Sequence, residues 1–130
     1  MMITAGYAGL CGLLLIVLSY RVVRLRRRLK VGIGTGGQEE LARAIRVQGN
    51  FTEYVPLILV LLALAEIQGL TGWAMHLAGA ALVFGRVLHA WGLGQSAGRS
   101  PGRFVGTSLT WLVLVALSLV NLGGMFWFAG

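Results

Sequence analysis

The 130-residue sequence is poor in charge, with 12% Asp, Glu, Lys or Arg, where soluble domains carry about 25%. Acidic residues are scarcest: four against eleven basic ones, so the net charge is +7. A single cysteine, Cys11, excludes an internal disulfide and a cysteine-built metal site. His76 and His89 are the only histidines and stand thirteen residues apart, which is no zinc-ligand spacing. No basic stretch precedes the first apolar run, and one follows it. That order predicts an uncleaved first span, not a removable signal peptide. No segment alternates as a barrel strand does.

What fills the chain is apolar: 57% of the residues. That share excludes a disordered basic tail, which requires low hydrophobicity. It also argues against a small soluble nucleic-acid binder, whose surface could not hide so much Leu, Val and Ala. The first basic run has neither a binding fold nor interleaved aromatics, so no nucleic-acid partner is expected. The expected class is an all-α membrane protein with one domain over residues 1–130.

Four apolar stretches are long enough to cross a bilayer as helices. Their cores are 3–20, 51–70, 73–94 and 104–128, and the helices are expected over about 3–25, 48–70, 73–94 and 104–128. Arg21, Arg24, Arg26, Arg27, Arg28, Lys30, Arg43 and Arg46 lie between or beside the first two. Arg99 and Arg103 lie between the last two. The connection 69–72 and both chain ends carry no Lys or Arg. The positive-inside rule then puts both basic loops in the cytoplasm and both termini outside. Trp73 and Trp127 fall near the outer interface and Trp91 near the inner one. The basic run from Arg21 to Lys30 has a plain topogenic reading, with contacts to anionic headgroups worth about 1 kcal/mol per charge.

The informative residues are the ionisable groups inside spans, because a charge at the bilayer centre needs a partner or a wet cavity. Glu53 and His89 each lie 18 residues from Thr71, and Arg86 lies 15. At about 1.5 Å per residue, all three share a depth to within about 5 Å. A Glu53–Arg86 ion pair is therefore expected to be within reach. Arg46, Asn50 and Glu53 share one face of the second helix; Arg86 and His89 share one on the third; Arg103, Thr107 and Thr110 share one on the fourth. Such stripes can simply lock helices together. The surplus of arginine over acid points instead to an anionic ligand. Glu66 and His76, each about five residues from the outer turn, are expected to pair or to be solvated. Pro56 removes one backbone hydrogen bond from helix two.

The segment Arg46-Val47-Gln48-Gly49-Asn50-Phe51-Thr52-Glu53-Tyr54-Val55-Pro56 resembles the R-x-Q-x-N-x-x-E-Y-x-P signature of the MAPEG family. The name stands for membrane-associated proteins in eicosanoid and glutathione metabolism. Gly85-Arg86-Val87-Leu88-His89 and Pro101-Gly102-Arg103 extend the likeness, which covers nearly the whole chain and is that of a short bacterial member. The resemblance implies a homotrimer of four-helix subunits in the inner membrane, with glutathione bound between subunits near the cytoplasmic surface. It implies Arg46, Gln48, Asn50, Glu53 and Tyr54 as contributors to that site, with Arg86 and His89 from the third helix. One basic residue from the end of the first helix, Arg26 or Arg27, belongs to the same set. Arg103 stands at the family's thiol-activating arginine, with Arg99 as a competitor. The implied activity is conjugation or reduction of a lipophilic electrophile by glutathione thiolate. The implied partners are glutathione, that lipophile and membrane lipids.

Departures from the family pattern also matter. Leu93 stands where animal members have tyrosine, and Phe104 where the prostaglandin E synthase branch has serine. A non-catalytic lipid-binding or scaffolding role of the same fold is the alternative. A small multidrug exporter, also four-spanned, would need an acid in its first span, and residues 3–20 contain none.

Overall fold

The computed structural model describes residues 2–95 and 100–128, except the side chains of residues 93–95 and 128. Those residues form four helices: α1 (Met2–Leu29), α2 (Glu39–Ile67), α3 (Gly72–Gln95) and α4 (Pro101–Phe128). Leu93's side chain and the whole of Arg99 lie outside the described residues. α1, α2 and α4 are each long and apolar enough to cross a membrane. α3 is not among them, which corrects the expectation of four apolar spans: His76, Arg86 and His89 dilute it, although its 24 residues suffice in length. In place of uniform apolarity, α3 hides two of these polar groups against its neighbours, Arg86 and His89 each being only 2% exposed.

The helices run up and down, as their end-to-end contacts require. Glu66, at the end of α2, accepts hydrogen bonds from the backbone N–H of Ile3 and Thr4 at 3.0 and 2.9 Å, so the start of α1 meets the end of α2. Tyr7 on α1 bonds His76, near the start of α3. Gln68 donates to the side chain of Asn121, near the end of α4. These groups mark one pole of the bundle. Of the two partners expected to pair or to be solvated, His76 is exposed and Glu66 bonds the start of α1. The unpaired N–H groups at the start of α1 are stronger hydrogen-bond partners for a carboxylate than a solvated imidazole.

Both ordered turns follow from helix-end geometry. At the end of α2, Gly69 takes φ 86° and the Leu70 N–H reaches the Ala65 carbonyl at 3.0 Å, a 6→1 closure that lets the chain reverse at once. At the end of α1, Lys30 takes φ 57° and the Val31 N–H closes on the Arg26 carbonyl. Arg26 itself donates to the carbonyls of Val31 and Gly34, pinning the connection.

The core is one seam per helix. In α2 the buried residues Leu41, Ala44, Val47, Phe51, Val55, Ile58, Leu62 and Ala65 recur every three or four positions. The main cluster joins several of them to Cys11, Leu18, Met75, Leu82, Val113 and Leu117. A second cluster of Val22, Leu25, Leu41 and Ala44 zips α1 to α2 where both helices run on beyond their apolar cores. The outward faces stay apolar: Leu13, Val17, Trp73, Leu112 and Trp127 are all well exposed. In water that surface would be an aggregation liability; in lipid it is solvated.

A candidate anion site at one pole of the bundle

The site begins with two glycines. α3 and α4 approach so closely that a Cβ on Gly106 would overlap the Gly85 carbonyl and the His89 backbone nitrogen. That contact brings the polar face of α3 against the first turns of α4. α4 starts there because Ser100 caps it: its Oγ accepts the Arg103 N–H at 3.2 Å, and Pro101 supplies a first helical residue that needs no donor. Arg103 is thereby set in the first turn, where the helix dipole already favours negative charge. Ser100, Pro101, Arg103, Phe104 and Thr107 line an open groove of about 880 Å³.

Behind Arg103 lies a buried network. Arg86 donates to the Thr110 hydroxyl at 3.2 Å, to the Asn50 side-chain oxygen, and to His89 Nδ1 at 3.3 Å. A guanidinium has donors only, so Nδ1 accepts and a neutral His89 carries its proton on Nε2. The remaining guanidinium nitrogen, Nε, is buried with no partner among the described residues. Arg86 therefore ties α2, α3 and α4 together through neutral groups and has no directly bonded carboxylate among the described residues.

Glu53 goes elsewhere. Both of its oxygens accept from one nitrogen of Arg46, at 2.9 and 2.7 Å, and the pair is about half exposed. Among the described residues, the Glu53–Arg86 pair that the sequence allows is not the one that forms. Depth and face allowed it, but Arg46 lies two turns away on the same face of α2, whereas Arg86 is turned inward to Asn50. Glu53 still feels both guanidinium groups. Through the bonds of Arg86 to Asn50 and Thr110, members of the three polar stripes meet.

The other predicted residues divide into three groups. Gln48 donates to Ser19 on α1 at 2.8 Å. Half-buried Tyr54 packs its ring obliquely on Trp111 of α4, 6.5 Å between centroids. Arg26 is occupied by the loop carbonyls, while Arg27 is exposed. Ser19, Ser100 and Trp111 were not singled out from the sequence. Only Ser100 had a legible signal, a Ser-Pro pair opening an apolar run.

The sequence profile of the MAPEG family matches residues 4–123. The chain belongs to the MAPEG family. Relatives agree with that membership. It is 41% identical over 126 residues to inner membrane protein YecN of Escherichia coli K12, covering 97% of this chain and 95% of that one. It is 34% identical over 103 residues to leukotriene C4 synthase of Cavia porcellus, covering 78% of this chain and 68% of that one. This MAPEG chain is thus an all-helical membrane bundle from a glutathione-related family, with its buried arginine network on α2, α3 and α4.

Proposed function

We propose that the chain is a glutathione transferase- or peroxidase-like enzyme of the inner membrane, acting on lipophilic electrophiles at a cytoplasm-facing site completed by a second copy in a homotrimer. The observation that carries this reading is the buried Arg86 network with Asn50, His89 and Thr110, which lies beside the exposed Arg46–Glu53 pair on α2 and, through Thr110, shares α4 with Arg103. Glutathione supplies what that arrangement asks for: two carboxylates and a thiol that ionises. Arg46 and Arg27 offer planar forks for the carboxylates. Glu53 and the Gln48 carbonyl offer acceptors for the ammonium group, and Tyr54 borders the site. Buried Arg86 acts by holding Asn50 and by lending positive potential, and neutral His89 acts by accepting from Arg86.

Arg103 is the proposed catalytic residue. A free thiol has a pKa of about 8.5, and an adjacent guanidinium favours the thiolate. In conjugation the thiolate sulfur bonds the electrophilic carbon, a leaving group such as chloride departs with the bonding pair, and the thiol proton goes to solvent. The lipophile reaches the groove from the bilayer past Phe104. The need for a second copy is supported by α2, whose exposed face carries Arg46 and Glu53 and then Leu57, Val60, Leu64 and Ile67. Charges on such a face are costly against lipid and tolerable against another subunit.

The test is glutathione binding and conjugation of chlorodinitrobenzene by the purified protein in lipid nanodiscs. Arg103→Ala is expected to lower turnover by about 10²-fold or more, the scale of losing one charge-stabilising donor. Unchanged turnover would remove Arg103 from the mechanism. Absence of glutathione binding by the wild-type protein would end the enzyme reading, and lipophile binding without thiol-dependent turnover would point to the carrier alternative.

A further inference from the structure

The buried network has a direction. The Thr110 hydroxyl donates its proton to the Gly106 carbonyl at 2.8 Å. Its oxygen is therefore an acceptor towards Arg86, which donates to it at 3.2 Å. Through its other terminal nitrogen Arg86 donates to Asn50, and that contact fixes which end of the Asn50 amide is oxygen, because a guanidinium cannot accept. The Asn50 nitrogen, with two N–H donors, has no partner among the described residues, and Asn50 is half-buried beside the open Arg46–Glu53 pair on α2. The chain thus runs from a carbonyl on α4, through fully buried Thr110 and Arg86 on α3, to a pair of donors on α2.

We propose that Thr110 is a positioning residue: by anchoring Arg86 it locks Asn50 in the amide orientation that presents donors to a bound carboxylate. Identifying that carboxylate as one of glutathione's rests on the function proposed above. Thr110 does not touch the ligand. Its hydroxyl decides whether a second guanidinium nitrogen keeps an acceptor, Nε being already unpartnered among the described residues, and so whether the group stays on Asn50.

Thr110→Val keeps the volume and removes the acceptor; Thr110→Ser keeps the acceptor. In the ligand-free protein in nanodiscs, the Asn50 side-chain NH₂ resonances are expected to shift and broaden in the valine variant and to return to wild-type positions in the serine variant. The Kd for glutathione is expected to rise about tenfold in the first and less than about threefold in the second, near 1.4 kcal/mol per factor of ten. Unmoved Asn50 resonances in Thr110→Val would overturn the proposal, as would a loss that serine does not restore, which would mark a packing role. Should Thr110→Val not fold, Asn50→Asp decides: it can still accept from Arg86 but offers no donors, and glutathione affinity at the wild-type level would sink the idea. If the wild-type protein binds no glutathione, the functional reading falls, and the ligand-free spectra alone still judge the relay.

Discussion

At the residue scale, the arginines differ in the groups that hold them. Arg26 is spent on loop carbonyls, Arg28 on Glu40, and Arg43 on Glu39. Arg86 is buried with no carboxylate on its donors among the described residues, an arrangement tolerated only when neutral acceptors or an incoming anion compensate it. Arg103→Lys keeps the charge but loses the planar fork. Glutathione turnover in that variant is expected to fall by about an order of magnitude, less than in Arg103→Ala, because a point charge still favours thiolate. Equal losses in the two variants, measured side by side, would mean that fork geometry outweighs charge. Glu53→Gln removes the partner of Arg46 from an exposed pair, so the melting temperature is expected to stay nearly constant while glutathione affinity falls. A large drop in melting temperature would reassign the pair to folding.

At the scale of elements, the contact of α3 with α4 controls the site. Gly106→Leu would drive a side chain into the Gly85 carbonyl and the His89 backbone. Overpacking of this kind costs typically 1–3 kcal/mol, and a clear drop in thermal stability is expected. Gly123 has nothing within 4 Å of its would-be Cβ, so Gly123→Ala should be neutral or stabilising, by up to about 1 kcal/mol of helix propensity. If both variants melt alike, close approach of the helices is not what Gly106 provides. Ser100→Ala removes the cap that sets Arg103 in register. A loss of about 1 kcal/mol is expected, with faster hydrogen exchange confined to the first turn of α4; unchanged exchange there would count against the capping role.

On the scale of the whole molecule, the poles are chemically unlike. One carries Glu66, Tyr7, His76, Gln68 and Asn121; the other carries the arginine network and the basic end of α1. With the basic pole in the cytoplasm, both termini should lie outside. Alkaline phosphatase fused to the C-terminus is expected to be active and a cytoplasm-dependent reporter at the same point silent; the opposite pattern would invert the topology. The exposed face of α2 should be covered by another copy, so Val60→Cys is expected to cross-link between subunits under oxidation. A chain that stays monomeric in nanodiscs would leave the site without its second half.

Much of this was legible along the chain. The long apolar runs, the glycine turn before α3, the three polar stripes and the span-two motif all follow from periodicities that the backbone enforces, since 3.6 residues per turn dictates which side chains share a face. Depth and face do not choose between partners that are both within reach. Glu53 had Arg46 and Arg86 available, and Glu66 had His76 and the start of α1. Helix rotation and side-chain reach made those choices, putting Arg86 inward to Asn50 and leaving Arg46 for Glu53. The expectation of a fourth apolar span failed because His76, Arg86 and His89 dilute α3, and the last two are packed away in the bundle. Local order thus follows from the covalent chain, whereas the pairing of charges follows from how four helices settle against one another in three dimensions.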